Sequence, residues 1–324
     1  MRIRRRPLCP ALAFGNAVVM KPSQFTPAAS FLLAEIFREF FPDNLVQVVM
    51  VSGRALSEAV SRGEVHGVSF MGSAPTGRPI HAAAAKNLIP AQLELGGKNG
   101  AILNDTDDLD GAVAQILGMA FMTAGQRCTA IGCVLVHKDL AAETTELLTA
   151  SANAMRLGPG LEADNDLGPL CNLPHWAEAC ATTERAISEG ANPLAGGFAP
   201  NRPDDGYCCR PTILGDVQHE SIASQEEIFG PVLPVLECDT FDQAMGMLNG
   251  TEFGLTSALF SNRNDLIQRF LAKSQNGMIH VNRGTAPDSN MPFVGIKNSG
   301  VGACSAGPTA VNFCTSGHSA CVAS

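Results

Sequence analysis

Val65-His66-Gly67-Val68-Ser69-Phe70-Met71-Gly72-Ser73-Ala74-Pro75-Thr76-Gly77 is the stretch on which the fold turns. Residues 65–71 are rich in β-formers and read as a strand, and residues 72–77 open a helix that runs to position 85. Such a turn sits where backbone N–H groups and a helix dipole favour a phosphate. It lacks the G-x-G-x-x-G of the usual dinucleotide turn. On its own, Gly72-Ser73-x-x-x-Gly77 is a weak phosphate signal and reads first as a plain strand-to-helix turn.

Outward from this stretch the same alternation continues. Residues 16–20 read as a buried strand, and Thr26-Pro27 starts a helix that carries Phe31, Leu32, Ile36, Phe37 and Phe40 at helical spacing. Residues 45–51 read as a second strand, Leu56, Ala59 and Val60 as a short helix, and residues 91–95 as a fourth strand. Strand alternating with helix predicts an α/β fold with a parallel sheet and crossover helices. After Asn99 the pattern repeats, with strands over 101–103, 130–137, 233–237, 257–260 and 277–281. Helices are expected over 107–124, 140–155, 176–188, 241–248 and 263–273, with loops over 158–174 and 190–211. The change of sheet falls near Gly96-Gly97. It predicts domains over 1–96 and 97–296 and a tail over 297–324 with a remnant oligomerisation strand.

Composition narrows the function. The 324 residues are 45% apolar and 16% charged, enough for a sizeable core. A net charge of −9 argues against nucleic acid or an anionic membrane surface as partner. The run Arg2-Ile3-Arg4-Arg5-Arg6 reads as a solvated tail. Pro7, Pro10 and Gly15 interrupt the only signal-peptide candidate, and no apolar run approaches the ~20 residues of a membrane helix. Eleven cysteines, with Cys208-Cys209 adjacent and no C-x-x-C or Cys/His cluster, predict free thiols in a reducing, cytoplasmic compartment and no metal site.

Three further stretches carry chemistry. In Gly125-Gln126-Arg127-Cys128-Thr129-Ala130 a cysteine lies among small and polar residues after a helical run. A thiol near water, beside an arginine or the positive end of a helix, can ionise and act as a nucleophile. Leu93-Glu94-Leu95-Gly96-Gly97-Lys98-Asn99 sets a carboxylate before a glycine pair that lets another molecule approach the backbone. Glu226-Glu227-Ile228-Phe229-Gly230-Pro231 adds two more carboxylates. We expect all three stretches around one reaction centre. Each residue also has a plain reading: Cys128 as a small core filler, Glu94 as a surface carboxylate, Glu227 as half of a solvated pair, Lys21 as a surface lysine.

Taken together, Lys21-Pro22-Ser23, residues 70–77, residues 93–99, residues 125–129, residues 226–231 and residues 292–300 resemble the NAD(P)-dependent aldehyde dehydrogenases, in the family's order and near its spacings. The resemblance covers residues 10–300. It implies a partial Rossmann-like cofactor domain followed by an α/β catalytic domain with a parallel or mixed sheet. It implies Cys128 as nucleophile and Glu94 as general base. NAD or NADP would be held by Lys21 and Gln24 at the adenosine ribose and by Gly72, Ser73 and Gly77 at the pyrophosphate. Leu95 would belong to the same site, Glu227 would hold the nicotinamide ribose, and Phe229 would pack beside it. The reaction implied is oxidation of a small aldehyde to an acid through a Cys128 thiohemiacetal and thioester. The wording of residues 125–130 and 292–300 leans toward semialdehydes of short dicarboxylic or keto acids, and family members form homo-oligomers.

Departures from the family pattern define the alternatives. The segment that precedes residue 10 in family members, with a Pro-Trp-Asn-Phe-Pro stretch whose asparagine binds the oxyanion, has no match, and the single tryptophan is Trp176. That predicts a truncated chain lacking one oxyanion donor, worth about 10²–10³ in rate. Gln24 replaces a glutamate that would repel a 2′-phosphate. Val294 replaces a glycine, which is costly if that position needs positive φ. The small, polar residues 312–321 form strands poorly. The alternatives are a catalytically impaired relic that acts only by association, and a cofactor-free esterase that uses Cys128 and Glu94.

Overall fold

The structure, a computed structural model, describes residues 2–197 and 206–323. Part of the loop expected over 190–211 thus lies outside the described residues. Two compact units divide the chain. The first comprises residues 1–95, 288–294 and 300–324, and the second residues 96–287 and 295–299.

In the first unit the basic run lies in a helix, α1 (Arg2–Ala13), where a tail was expected. Pro7 and Pro10 lie inside it, and each removes a backbone N–H from the helix ladder. Leu8, only 2% exposed, packs with Leu33, Ala34 and Val46, and this burial holds the helix against its prolines. Strands β1 (Val18–Met20) and β2 (Val46–Val48) pair in parallel on either side of α2 (Ala28–Phe40) in sequence. Leu33 and Ala34 bury one side of α2, whereas Phe31, Leu32, Ile36 and Phe40 are exposed, Phe40 by 74%. Helix α3 (Gly53–Ser61) is capped by Ser52, whose hydroxyl accepts from the Ala55 N–H at 3.1 Å.

Strands β3 (Val68–Met71) and β4 (Ala91–Glu94) form a second parallel pair, joined by α4 (Ala74–Ala85). A short strand, Gly300–Val301, closes the far side of β4 antiparallel. The four strands read as one alternating series therefore fall into two sheets. Val60, Val68, Ile80, Leu93 and Leu95 form the core under the second.

The second unit is built on seven strands: β5 (Asn99–Leu103), β6 (Ile131–His137), β7 (Asn192–Ala195), β8 (Thr212–Gly215), β9 (Val232–Cys238), β11 (Thr256–Phe260) and β12 (Met278–Val281). Their order is β12-β11-β5-β6-β9-β8-β7, parallel except for the edge pair β7–β8. The short strand β10 (Phe253–Gly254) pairs outside this sheet with β13 (Ile296–Lys297). Every residue of β5 is buried, as expected of a strand covered on both faces. The core joins these strands to helices α5 (Leu109–Phe121), α6 (Lys138–Ala154), α7 (Leu173–Ser188), α8 (Ile222–Gln225), α9 (Phe241–Asn249) and α10 (Asn264–Lys273). β7 and β8 had no expected counterpart. β7 is four residues long and contains Pro193, which an edge strand tolerates because one side of its ladder is free.

Three local expectations change. Helix α5 stops at Phe121, not at Ala124, because Thr123, Ala124 and Gly125 all adopt left-handed φ (58°, 55° and 71°). Val294 is not among the positive-φ residues, so its β-branched side chain is carried without that strain. The tail forms a short helix over Val311–Cys314 and no strand over 315–323.

Phe270 on α10 is 0% exposed in the core of the second unit. Phe270→Ala should cost about 3–5 kcal/mol, read as a lower urea midpoint, because the cavity adds to the lost transfer energy. A loss below about 1 kcal/mol would mean that the site collapses freely.

Candidate active site

The cysteine loop is positioned by one buried amide. Asn99 begins β5 and is 1% exposed. Its Nδ2 donates to the carbonyls of Cys128 and Ala130, each at 2.7 Å, and its Oδ1 accepts from the Thr256 N–H at 3.1 Å. Thr285 Oγ1 donates to the Thr129 carbonyl at 2.7 Å. Three consecutive carbonyls of the loop, 128 to 130, are thus held from outside it. Gly125 brings the loop against residue 230, since a Cβ on it would lie 2.2 Å from the Gly230 carbonyl oxygen.

Cys128 is a partly exposed thiol outside any disulfide. The preceding helix cannot activate it. α5 ends before it with its C-terminus, the negative end of the dipole, toward the loop. Positive charge comes from Arg127. Burial holds the Arg127 guanidinium below its ordinary pKa, and the charge of the Cys128 sulfur opposes that shift. Arg127 Nη2 also donates to Thr129 Oγ1 at 3.0 Å.

Beside the loop lies a small cleft lined by Gly97, Lys98, Gly125, Arg127, Ala130, Gly132, Glu227 and Phe229. Glu227 Oε1 accepts from the Gly97 N–H at 3.1 Å. A Cβ on Gly96 would lie 1.9 Å from Glu227 Oε2, so only glycine lets the carboxylate sit this close to the backbone. Burial raises the Glu227 pKa to about 7, opposed by the Gly97 N–H and by Lys98. Burial lowers the Lys98 pKa to about 8, opposed by Cys133, Glu227 and Glu226. Glu226 is exposed, so the two glutamates are not the solvated pair that their sequence allowed. Phe229, at φ 53°, is 37% exposed and meets the His175 ring edge-on at 6.2 Å.

The other expected site residues belong to the first unit. Lys21 and Gln24 follow the C-terminal end of β1. Lys21 Nζ donates to the Pro22 carbonyl at 3.2 Å, and Gln24 is exposed. Gly72 and Ser73 follow the C-terminal end of β3, the end at which open α/β sheets take ligands. Ser73 is the N-cap of α4, and its hydroxyl bonds Thr76 Oγ1 at 3.1 Å. Gly77 is buried under Leu95, whose Cδ2 would lie 2.7 Å from an added Cβ, so Leu95 packs inward and 6% exposed. Glu94 ends β4, is 6% exposed, and its carbonyl accepts from the Gly72 N–H at 3.1 Å.

Asn99 and Lys98 were not singled out from the sequence, although both stand inside motifs that were. An asparagine opening a wholly buried strand was the available signal for Asn99, since a buried amide needs partners.

Asn99→Ala should lower stability by about 1–3 kcal/mol by stranding buried carbonyls. Asn99→Asp should cost more, because carboxylate oxygens would face the carbonyls of Cys128 and Ala130. Urea denaturation of both variants checks this, and an aspartate as stable as the asparagine would count against the clamp. For Glu227 the folded pKa of about 7 lies above the ordinary value of 4.5. Between those values the native state keeps a proton that the unfolded chain has released, so stability falls as pH rises. Glu227→Gln should remove that fall, and wild type should lose more stability than the variant between about pH 5 and pH 8. Equal losses would show that the carboxylate is not held in the raised state.

Comparisons with known proteins give the family of the chain. The model of the "Aldehyde dehydrogenase family" matches residues 2–319. The 4-trimethylaminobutyraldehyde dehydrogenase of Bos taurus is 37% identical over 298 residues, covering 90% of this chain and 60% of the relative. A betaine aldehyde dehydrogenase of Cereibacter sphaeroides is 36% identical over 294 residues, with the same shares. Among solved structures, lactaldehyde dehydrogenase from Escherichia coli superposes with a TM-score of 0.92 at 32% identity, covering 96% of this chain and 65% of that one. Betaine aldehyde dehydrogenase from Staphylococcus aureus in complex with NAD+ gives 0.91 at 32% identity, covering 95% and 62%. The chain spans about 60% of the length of these curated relatives. With a family match along nearly its whole length and relatives above 30% identity, the chain belongs to the aldehyde dehydrogenase family.

Proposed function

We propose that this chain carries the thiol and nicotinamide-ribose machinery of an NAD(P)-dependent oxidation of aldehydes to acids. The observation that carries the reading is the seating of Glu227 on Gly97, in a cleft that also holds the arginine next to Cys128. The Gly96-Gly97 backbone, bare of side chains, and a partly buried carboxylate with a second oxygen to offer fit a ribose diol. The exposed β1 and β3 ends, with Lys21, Gln24, Gly72 and Ser73, fit the adenosine ribose and pyrophosphate.

In this reading the Cys128 sulfur adds to the aldehyde carbon, and its electron pair forms the C–S bond while the carbonyl oxygen takes the negative charge. Arg127 favours the thiolate form that attacks. The alkoxide of the adduct drives loss of hydride and leaves a thioester on Cys128. Bound NAD or NADP supplies the hydride acceptor. The role that the family resemblance implies for Glu94 is to take a proton from the water that hydrolyses the thioester, which would free the acid and restore the thiol. The covalent bond divides one difficult step into easier ones. Glu227 must be ionised to accept both ribose hydroxyls, so cofactor binding should weaken as pH falls through about 7. The named relatives are called after 4-trimethylaminobutyraldehyde, betaine aldehyde and lactaldehyde, with no semialdehyde among them, and the proposal stops at the aldehyde group.

Purified protein incubated with a short-chain aldehyde and NAD or NADP should form reduced cofactor, and Cys128→Ala should abolish it. An activated ester is assayed in parallel. Ester hydrolysis without cofactor reduction would replace this reading by the cofactor-free esterase, and neither activity in a folded sample would overturn it.

A further inference from the structure

A second thiol stands outside this chemistry. Cys171 is exposed, and its Sγ lies 3.1 Å from Nδ1 of His175. The pair straddles the start of α7, with Asn172 between them as N-cap. Asn172 Oδ1 accepts from the His175 N–H at 3.0 Å, and its Nδ2 donates to the Cys171 sulfur at 2.9 Å. The imidazole and the Phe229 ring pack in a T-shape. The backbone of Cys171 is fixed as well, because its N–H donates to Gln126 Oε1 at 2.9 Å. The Asn172 Nδ2 also lies 3.4 Å from His175 Nδ1, so one amide bridges sulfur and ring. A nucleophile with a base within hydrogen-bond reach is the pairing of an activated thiol. Nothing in the proposed aldehyde chemistry uses this pair.

We propose that Cys171 and His175 form a reactive thiol–imidazole pair that takes up low-molecular-weight disulfides, making Cys171 a site of reversible thiolation. With its own proton on Nε2, the imidazole accepts the thiol proton at Nδ1. The Asn172 amide donates to the sulfur as it gains charge. The Cys171 sulfur then attacks one sulfur of the incoming disulfide. A mixed disulfide forms at Cys171, the original S–S bond breaks, and the departing thiolate takes the proton back from His175. Cys171 is oxidised and the departing half of the disulfide is reduced, so the exchange needs no further reagent. A small disulfide is the fitting electrophile because Cys171 is an exposed residue and is not among those lining the cleft beside the cysteine loop.

The test uses oxidised glutathione on the wild-type chain near pH 7. The mixed disulfide is quantified over time at each cysteine by peptide mass spectrometry. Cys9 and Cys321, also exposed thiols, serve as internal comparators. A free thiol is only a few per cent ionised at this pH, so Cys171 should react about tenfold faster than either. Dithiothreitol should reverse the modification. His175→Gln should bring Cys171 down to the comparators' rate without changing theirs. Equal rates at the three cysteines in wild type would overturn the proposal without recourse to any variant. A Cys171 that stays fast in His175→Gln would overturn the role of the imidazole.

Discussion

The Asn99 carboxamide spends both of its donor hydrogens on the carbonyls that flank Thr129 and its acceptor on the neighbouring strand. It sits where β5 begins, so the position of the cysteine loop is referred to an interior strand of a seven-stranded sheet and not to the loop's own conformation. This matters because the loop is entered through three left-handed residues, two of which have side chains. Such backbone persists only where its surroundings over-determine it. The buried amide, the Thr285 hydroxyl and the close contact of Gly125 with residue 230 supply that determination.

Around this fixed loop the charges are arranged in opposition. Glu227 and Lys98 are pushed by burial toward their neutral forms, and each pulls the other back. The balance leaves the carboxylate near neutrality in pKa and the lysine only slightly above it. Arg127 follows the same logic, with the Cys128 sulfur as its counterweight. A cleft poised in this way can accept a polar ligand without first breaking a strong internal ion pair.

Much of this was legible in the residues. Helices with a strong apolar stripe, such as α2 and α9, and strands in unbroken apolar runs, such as β6 and β9, declare themselves by period. The six ordered motifs pointed to Cys128, Glu227 and their neighbours because spacing survives divergence better than composition does. Other features depended on distant parts of the chain. β7 carries a proline and α1 carries two, and neither can be read locally, since an edge position or a buried leucine makes them tenable. The inward turn of Leu95 and the clamp at Asn99 are also tertiary facts. Each is defined by a partner far away in sequence or across a turn that propensity does not describe.

Among the described residues, the apolar clusters of the two units differ in number and size. The second has a single large cluster spanning its sheet and helices, while the first has two small ones, about Leu33 and about Leu93. Its longest helix also leaves Phe31, Leu32, Ile36 and Phe40 toward solvent. Cooperativity arises from shared burial, so regions whose apolar clusters differ in number and size are free to lose order at different points. The conformational stability of this chain is therefore a profile along its length and not a single quantity.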